Sequence, residues 1–134
     1  MQVSMILADA ATVAEGKLFV LGGGWNITNG KLPSALALLI EVDWDETNRR
    51  HDVELTLVDG DGRPVIFNGP AGPKPLVVQT HFEVGRPAGI PPGSSLNQTL
   101  AVSVPMLSLA AGQIHEWRCA INGKQLAHRT FLVR

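Results

Sequence analysis

The side chains best equipped for chemistry gather near the C-terminus, where His115, Trp117, Cys119 and His128 flank an Asn122-Gly123 dipeptide. Asn-Gly between two strand-like runs marks a two-residue hairpin, because a type I′ turn needs positive φ at both central positions. In that register Glu116 faces Arg129, an opposite-charge cross-strand pair, while Trp117 faces His128 and Cys119 faces Leu126 on the other side. His115, Cys119 and His128 then share one face, and two imidazoles with a thiolate form a donor set that zinc or copper accepts. Trp117 stands between His115 and Cys119, however, and no fourth ligand follows. Cys119 therefore reads as a small buried apolar residue, and no metal site is assigned. Ile114 and Phe131 complicate the register, because they fall opposite each other on the side of the charged pair. Either a bulge shifts parity there or that end of the face is covered, and covering by another strand or another subunit is the expectation.

Other chemistries lack a pattern. Gly22-Gly23-Gly24 suggests a phosphate cradle, which needs a helix N-terminus behind it; Trp25-Asn26-Ile27-Thr28-Asn29-Gly30 follows instead and reads as strand or turn. Asp59-Gly60-Asp61-Gly62 resembles half a calcium loop, yet its twelfth position is Pro70 rather than a closing glutamate, so a hairpin turn is expected. Glu41, Asp43 and Asp45 fall on one face of a strand, spaced at ~6.6–6.8 Å, too wide for one ion unless a loop folds them inward. Arg49, Arg50 and His51 follow directly and are expected to neutralise them. No serine sits in a Gly-x-Ser-x-Gly elbow, the lone cysteine has no thiol-enzyme signature around it, and no carboxylate pair is singled out for glycoside chemistry. No catalytic residue and no cofactor are assigned.

Aromatic anchors are the remaining candidates. Trp117 is expected in the core, whereas Trp25 beside three glycines and Trp44 among acids stand where the chain turns. A tryptophan in such a place presents a large apolar surface to a partner. With Arg86, which opens the Arg86–Ser95 loop, and with Ile114 and Phe131, they make up the candidate binding or interface residues. The absence of tyrosine counts against carbohydrate recognition on aromatic platforms.

The elements that would position these groups are strands. Fourteen glycines and nine prolines in 134 residues interrupt every amphipathic helical stretch except a poor one around Ala8–Gly16. Period-two alternation puts Val53, Leu55 and Leu57 on one face, then Leu76, Val78, Phe82 and Val84, then Leu96, Leu100, Val102 and Val104. Val3–Ala8, Leu18–Leu21 and Leu36–Val42 are apolar on both sides and read as buried strands or strands with a second covered face. Turn chemistry at Glu15-Gly16, Asn29-Gly30, Pro70–Pro75, Arg86–Ser95 and Ala111-Gly112 separates them. The expectation is an all-β chain, an antiparallel sandwich of about eight strands, Ig-like or Greek-key in type, with little or no helix. Residues 1–134 are expected to form one domain.

Composition narrows the partners. Eleven basic and twelve acidic residues give a net charge of −1 with no basic cluster, so a nucleic-acid partner is not expected. No apolar run approaches the ~20 residues of a membrane span. The N-terminal run has no basic flank and is cut by Asp9, so no secretory signal is expected. One cysteine allows no internal disulfide, and a cytoplasmic location is expected.

Leu7-Ala8-Asp9-Ala10-Ala11, Glu15-Gly16-Lys17-Leu18, Leu21-Gly22-Gly23-Gly24-Trp25, Glu83-Val84-Gly85-Arg86-Pro87 and Pro91-Pro92-Gly93 resemble a family of short bacterial proteins, chiefly actinobacterial, known as a domain of unknown function. The resemblance spans nearly the whole chain. It implies a free-standing bacterial domain and supplies no activity, cofactor or catalytic residue. Two functional expectations follow: a non-catalytic structural or protein-interaction module that self-associates as a homo-oligomer or binds a protein partner, or a small-ligand binder or hydrolase with a pocket near Trp25, Trp44 and the Arg86–Ser95 loop.

Overall fold

The computed structural model describes every residue but Gly30, and of Lys31, Leu32 and Pro33 the backbone alone. The Asn29-Gly30 turn thus lies outside the described residues. The chain runs β1 (Gln2–Ala14), β2 (Lys17–Gly23), β3 (Ile27–Thr28), β4 (Lys31–Val42), a single 3₁₀ turn (Trp44–Glu46), β5 (Arg50–Asp59), β6 (Ile66–Gly69), β7 (Gly72–Pro75), β8 (Val77–Glu83), β9 (Leu96–Ser108), β10 (Ile114–Ile121) and β11 (Lys124–Val133). Eight strands have seven or more residues, as the alternation predicts; β3, β6 and β7 are short additions.

One sheet has the order β2-β1-β4-β9 and the other β3-β11-β10-β5-β8, with β6-β7 as a separate hairpin. Consecutive strands repeatedly switch sheets, as Greek-key sandwiches require. The pairing departs from a wholly antiparallel scheme at one place: β3 runs parallel to β11.

The core lies between the two sheets. From the first come Met5, Leu7, Leu36, Leu38, Ile40 and Val42; from the second come Val53, Leu55, Leu57, Trp117, Cys119 and Ile121. Fully burying a Leu, Ile or Val side chain stabilises by about 1.5–3 kcal/mol, so these alternating faces dominate the fold. The β6-β7 segment closes one margin, with Val65 donating to the Leu57 carbonyl and Leu76 donating to Val65.

Strand β4 is buried along its core side and, at Ala35 and Ala37, on its outer side as well, while Leu39 and Glu41 further along that side are exposed. From Ser34 onward its even-numbered residues face the core, while Ala35 and Ala37 point the other way and are also buried. What covers them is the chain itself. Up to Ala8, β1 pairs with β4; beyond it, β1 pairs only with β2. The resulting β1-β2 ribbon turns at Glu15 and Gly16, both at positive φ, and its tip reaches β9, where the Thr99 hydroxyl donates to the Gly16 carbonyl at 3.0 Å. Thr99 pairs with Leu39 of β4 and so lies on the outer face of the sheet. To arrive there from Ala8 the ribbon must fold back across that face. The second covering expected for these apolar strands is therefore intramolecular at β4. Leu18–Leu21, by contrast, form an exposed edge strand, with Phe19 at 54% and Leu21 at 72% exposure.

The glycine block at the end of β2 permits the fold-back. Gly22 has φ +61° and a Cβ there would lie on the Asp9 carboxylate; a Cβ on Gly23 would stand 2.6 Å from Val20 Cγ1 and 3.2 Å from Ile6 Cδ1. Gly24 then donates to the Leu7 carbonyl and leads into β3 rather than a helix. Gly23→Ala is expected to destabilise the protein by about 1–3 kcal/mol through overpacking, read as a lowered midpoint in denaturant unfolding, whereas the equally exposed Ala10→Gly should cost about 1 kcal/mol or less.

Candidate functional site

The two tryptophan candidates stand at opposite ends of the sandwich. Trp44 lies on the 3₁₀ turn, close to the β10-β11 hairpin turn, and Trp25 packs near the start of β10. Each is joined to a different member of the predicted set.

At the first end the structure brings Trp44 and Arg86 together. The Arg86 guanidinium lies 4.0 Å from the Trp44 ring centroid, a cation–π distance. Its Nε donates to Thr47 Oγ1 at 2.6 Å and its Nη2 to the Trp44 carbonyl at 2.7 Å. Thr47 itself donates to that carbonyl at 2.6 Å. Arg86 thus gives two of its five N–H donors to the 3₁₀ turn and its C-cap and clamps the β8-β9 loop there. His51, buried at the start of β5, ties the same turn to the hairpin: its Nε2 lies 2.7 Å from the Glu46 carbonyl and its Nδ1 2.9 Å from Asn122 Nδ2. The carbonyl can only accept and the amide NH₂ can only donate, which assigns the Nε2–H tautomer. Asn122 completes the link by accepting from the Asp52 amide at 3.0 Å.

The expected neutralisation of Asp43 and Asp45 by Arg49, Arg50 and His51 is not what the structure shows. His51 points inward, and Arg50 pairs with Asp52 at 2.9 Å. The Met1 ammonium instead lies 3.2 Å from Asp43 and 3.1 Å from Glu46, and hydrogen bonds to Glu46 and then Asp43 raise its pKa above the ordinary amine value. Nor do the acids keep the spacing of a strand. The 3₁₀ turn gathers Asp43, Asp45 and Glu46 so that one oxygen of each lies within 4.8 Å of the others, while Glu41 remains on the strand.

At the second end Trp25 meets Phe131 edge-on, with centroids 6.0 Å apart at 87°, and His115 stacks on the other side of Phe131 at 5.6 Å and 22°. This packing overturns the predicted register. The Asn122-Gly123 turn has positive φ at both residues, and Ile121 pairs with Lys124 and Ala120 with Gln125 as expected. A bulge then intervenes, and Cys119 faces Ala127, Trp117 faces Arg129 and Glu116 faces Thr130. The extra residue is Leu126. It resolves the parity conflict without a covering subunit: Phe131 turns into the core at 2% exposure, opposite His115, and Ile114 points outward at 52%. Glu116 finds its cation along its own strand, 2.6 Å from Arg118. His128 faces Arg118 on the outer surface, away from Cys119. The thiol is wholly buried, and that burial pushes its pKa up to about 11.

Trp25 Nε1 and His115 Nδ1 are both buried without a hydrogen-bond partner among the described residues, although both rings pack on Phe131. Burial lowers the His115 pKa below the ordinary imidazole value, outweighing the opposing influence of Asp59. A depressed native pKa means that the unfolded chain binds the proton more tightly, so stability falls as pH drops below about 6.5. We expect the wild-type Tm to decline between about pH 6.5 and pH 5, and the decline to be smaller in His115→Phe, which keeps a ring on Phe131. Asp59 and Glu116, whose pKa values are lowered by hydrogen bonds, act at lower pH, below about 4.5. An equal Tm slope in both proteins would remove His115 from this account.

Two further features escaped the sequence reading. Ile27, Leu132 and Ile114 are paired neighbours across β3, β11 and β10 and form an exposed apolar row on the outer face of the second sheet. On the same outer face, toward the β8 edge, a cleft of about 480 Å³ is lined by Arg50, Asp52, Glu54, Gln79 and His81. Ile114 alone of the row was legible, because the other two stand outside any alternation that a two-residue strand can display.

These features define an all-β sandwich with apolar side chains exposed on both sheets, among them Ile27, Leu132 and Ile114 on one and Phe19 and Leu21 on the other. The chain belongs to the DUF6941 family, a family of unknown function, whose model matches residues 3–134. No curated protein and no solved structure matches it.

Proposed function

We propose that the protein is a non-catalytic structural or protein-interaction module that self-associates. The observation that carries this reading is the in-register row of Ile27, Leu132 and Ile114, joined by the exposed Phe19 and Leu21 on the opposite sheet. A solitary exposed leucine needs no explanation, whereas apolar residues that are hydrogen-bonded neighbours make a contiguous patch of the kind found at protein contacts. The proposal also takes residues 1–134 as one domain of bacterial, chiefly actinobacterial, origin, working in the cytoplasm without a nucleic-acid partner. The low charge and the LADAA and LGGGW blocks support that.

A second reading, as a small-ligand binder, is favoured by the Arg50–His81 cleft, whose volume falls within the roughly 300–1,000 Å³ typical of ligand sites. Of its polar groups, Arg50 is already paired with Asp52, and Gln79 donates to Glu54 at 3.3 Å, which leaves His81 as the side chain most available to a ligand.

Light scattering across a concentration series tests the first reading. We expect a mass that rises above the 14.3 kDa of one chain to a defined multiple. A 14.3 kDa species at every concentration would refute self-association.

A further inference from the structure

We propose that β2 pairs antiparallel with β2 of a second copy, about a twofold axis through Val20, so that two four-stranded sheets become one eight-stranded sheet. This rests on the self-association proposed above and places it on the Phe19–Leu21 part of the exposed apolar surface rather than on the Ile27–Leu132–Ile114 row.

The four sheet edges are treated differently. Exposed edge strands template further pairing, and proteins blunt them with prolines, charges, short length or a covering segment. Edge strand β3 has only two residues. Edge strand β8 carries Gln79, His81 and Glu83 outward, and the segment before it is bonded to Val65. Edge strand β9 contains Pro105. Strand β2 has none of these devices: its sequence is Lys-Leu-Phe-Val-Leu-Gly-Gly, with one charge at its first residue and no proline. Six of its seven residues, Lys17 and Phe19 through Gly23, are exposed, although β1 pairs along its other edge.

The strand is also complementary to itself, as a twofold interface demands. With Val20 on the axis, Phe19 faces Leu21 of the second copy and Leu21 faces its Phe19. Leu18 faces Gly22, and Lys17 faces Gly23, so no like charges meet. Phe19 and Leu21 share the ribbon face turned away from β4, and the two cross-strand Phe-Leu pairs would cover each other on that face. Pairs of this kind supply specificity in strand addition, while the backbone hydrogen bonds supply affinity.

Two charge variants test the pairing. Phe19→Lys with Leu21→Lys sets lysine opposite lysine at both cross-strand positions; Phe19→Glu with Leu21→Glu does the same with glutamate. By sedimentation velocity, wild type should form a dimer, each variant alone should dimerise at least tenfold more weakly, and a 1:1 mixture should recover the dimer through opposite-charge pairs. Both positions are exposed, and circular dichroism checks that the variants are folded; should a doubled variant unfold, Leu21→Lys and Leu21→Glu, alone and mixed, carry the same comparison. Variants that dimerise like wild type would overturn the β2 edge while leaving self-association in place. A mixture that stays monomeric would likewise overturn the pairing. A wild type that is monomeric throughout would overturn both proposals.

Discussion

Burial of β4 on its core face and, at Ala35 and Ala37, on its outer face is the constraint around which the molecule is arranged. On the core side, Leu36, Leu38, Ile40 and Val42 meet the residues of β5 and β10. On the other side, Ala35 and Ala37, beside Ala8 of β1, present small side chains that let a second layer approach closely. The β1-β2 ribbon supplies that layer, which a four-stranded sheet with water on its outer face would not need. The ribbon in turn requires the glycine block, because only residues without a Cβ fit between Asp9, Val20 and Ile6.

Placing the ribbon there has consequences at both sheets. It takes the second half of β1 away from β4 and exposes β2 as an edge whose apolar side chains have little to pack on. It also delivers the chain, through Gly24, to Trp25, which closes the end of the sandwich against Phe131. The opposite end is held by polar contacts: Arg86 on the 3₁₀ turn, and His51 and Asn122 between the turn and the hairpin. The Trp-Arg contact therefore reads as a clamp, and the exposed surface that suits a partner lies on the strands.

Much of this architecture was legible in the sequence because it depends on local periodicity. Alternation placed Val53, Leu55 and Leu57, and Leu76 and Phe82, on the core side, and Asn122-Gly123 marked its turn correctly. The bulge at Leu126 was not legible. A bulge adds one residue without changing composition, and only the misplaced pair of Ile114 and Phe131 hinted at it. Leu18–Leu21 looked buried because an apolar run has the same appearance at a core strand and at an interface. His51 resembles a surface charge in the sequence because its neighbours are arginines, yet alternation along β5 turns it inward with Val53. Asp43, Asp45 and Glu46 came together through a 3₁₀ turn too short to announce itself by periodicity.

The chain's own ribbon covers the outer face of β4 at Ala35 and Ala37. The nuclear Overhauser effect between Thr99 and Gly16 tests this most directly, recorded on dilute uniformly labelled protein and again, isotope-filtered, on a mixture of labelled and unlabelled chains. A contact is expected in the first sample, matching the 3.0 Å hydrogen bond, and none between chains in the second. A contact seen only between labelled and unlabelled chains would contradict it, and would mean that β4 is covered by another copy's ribbon.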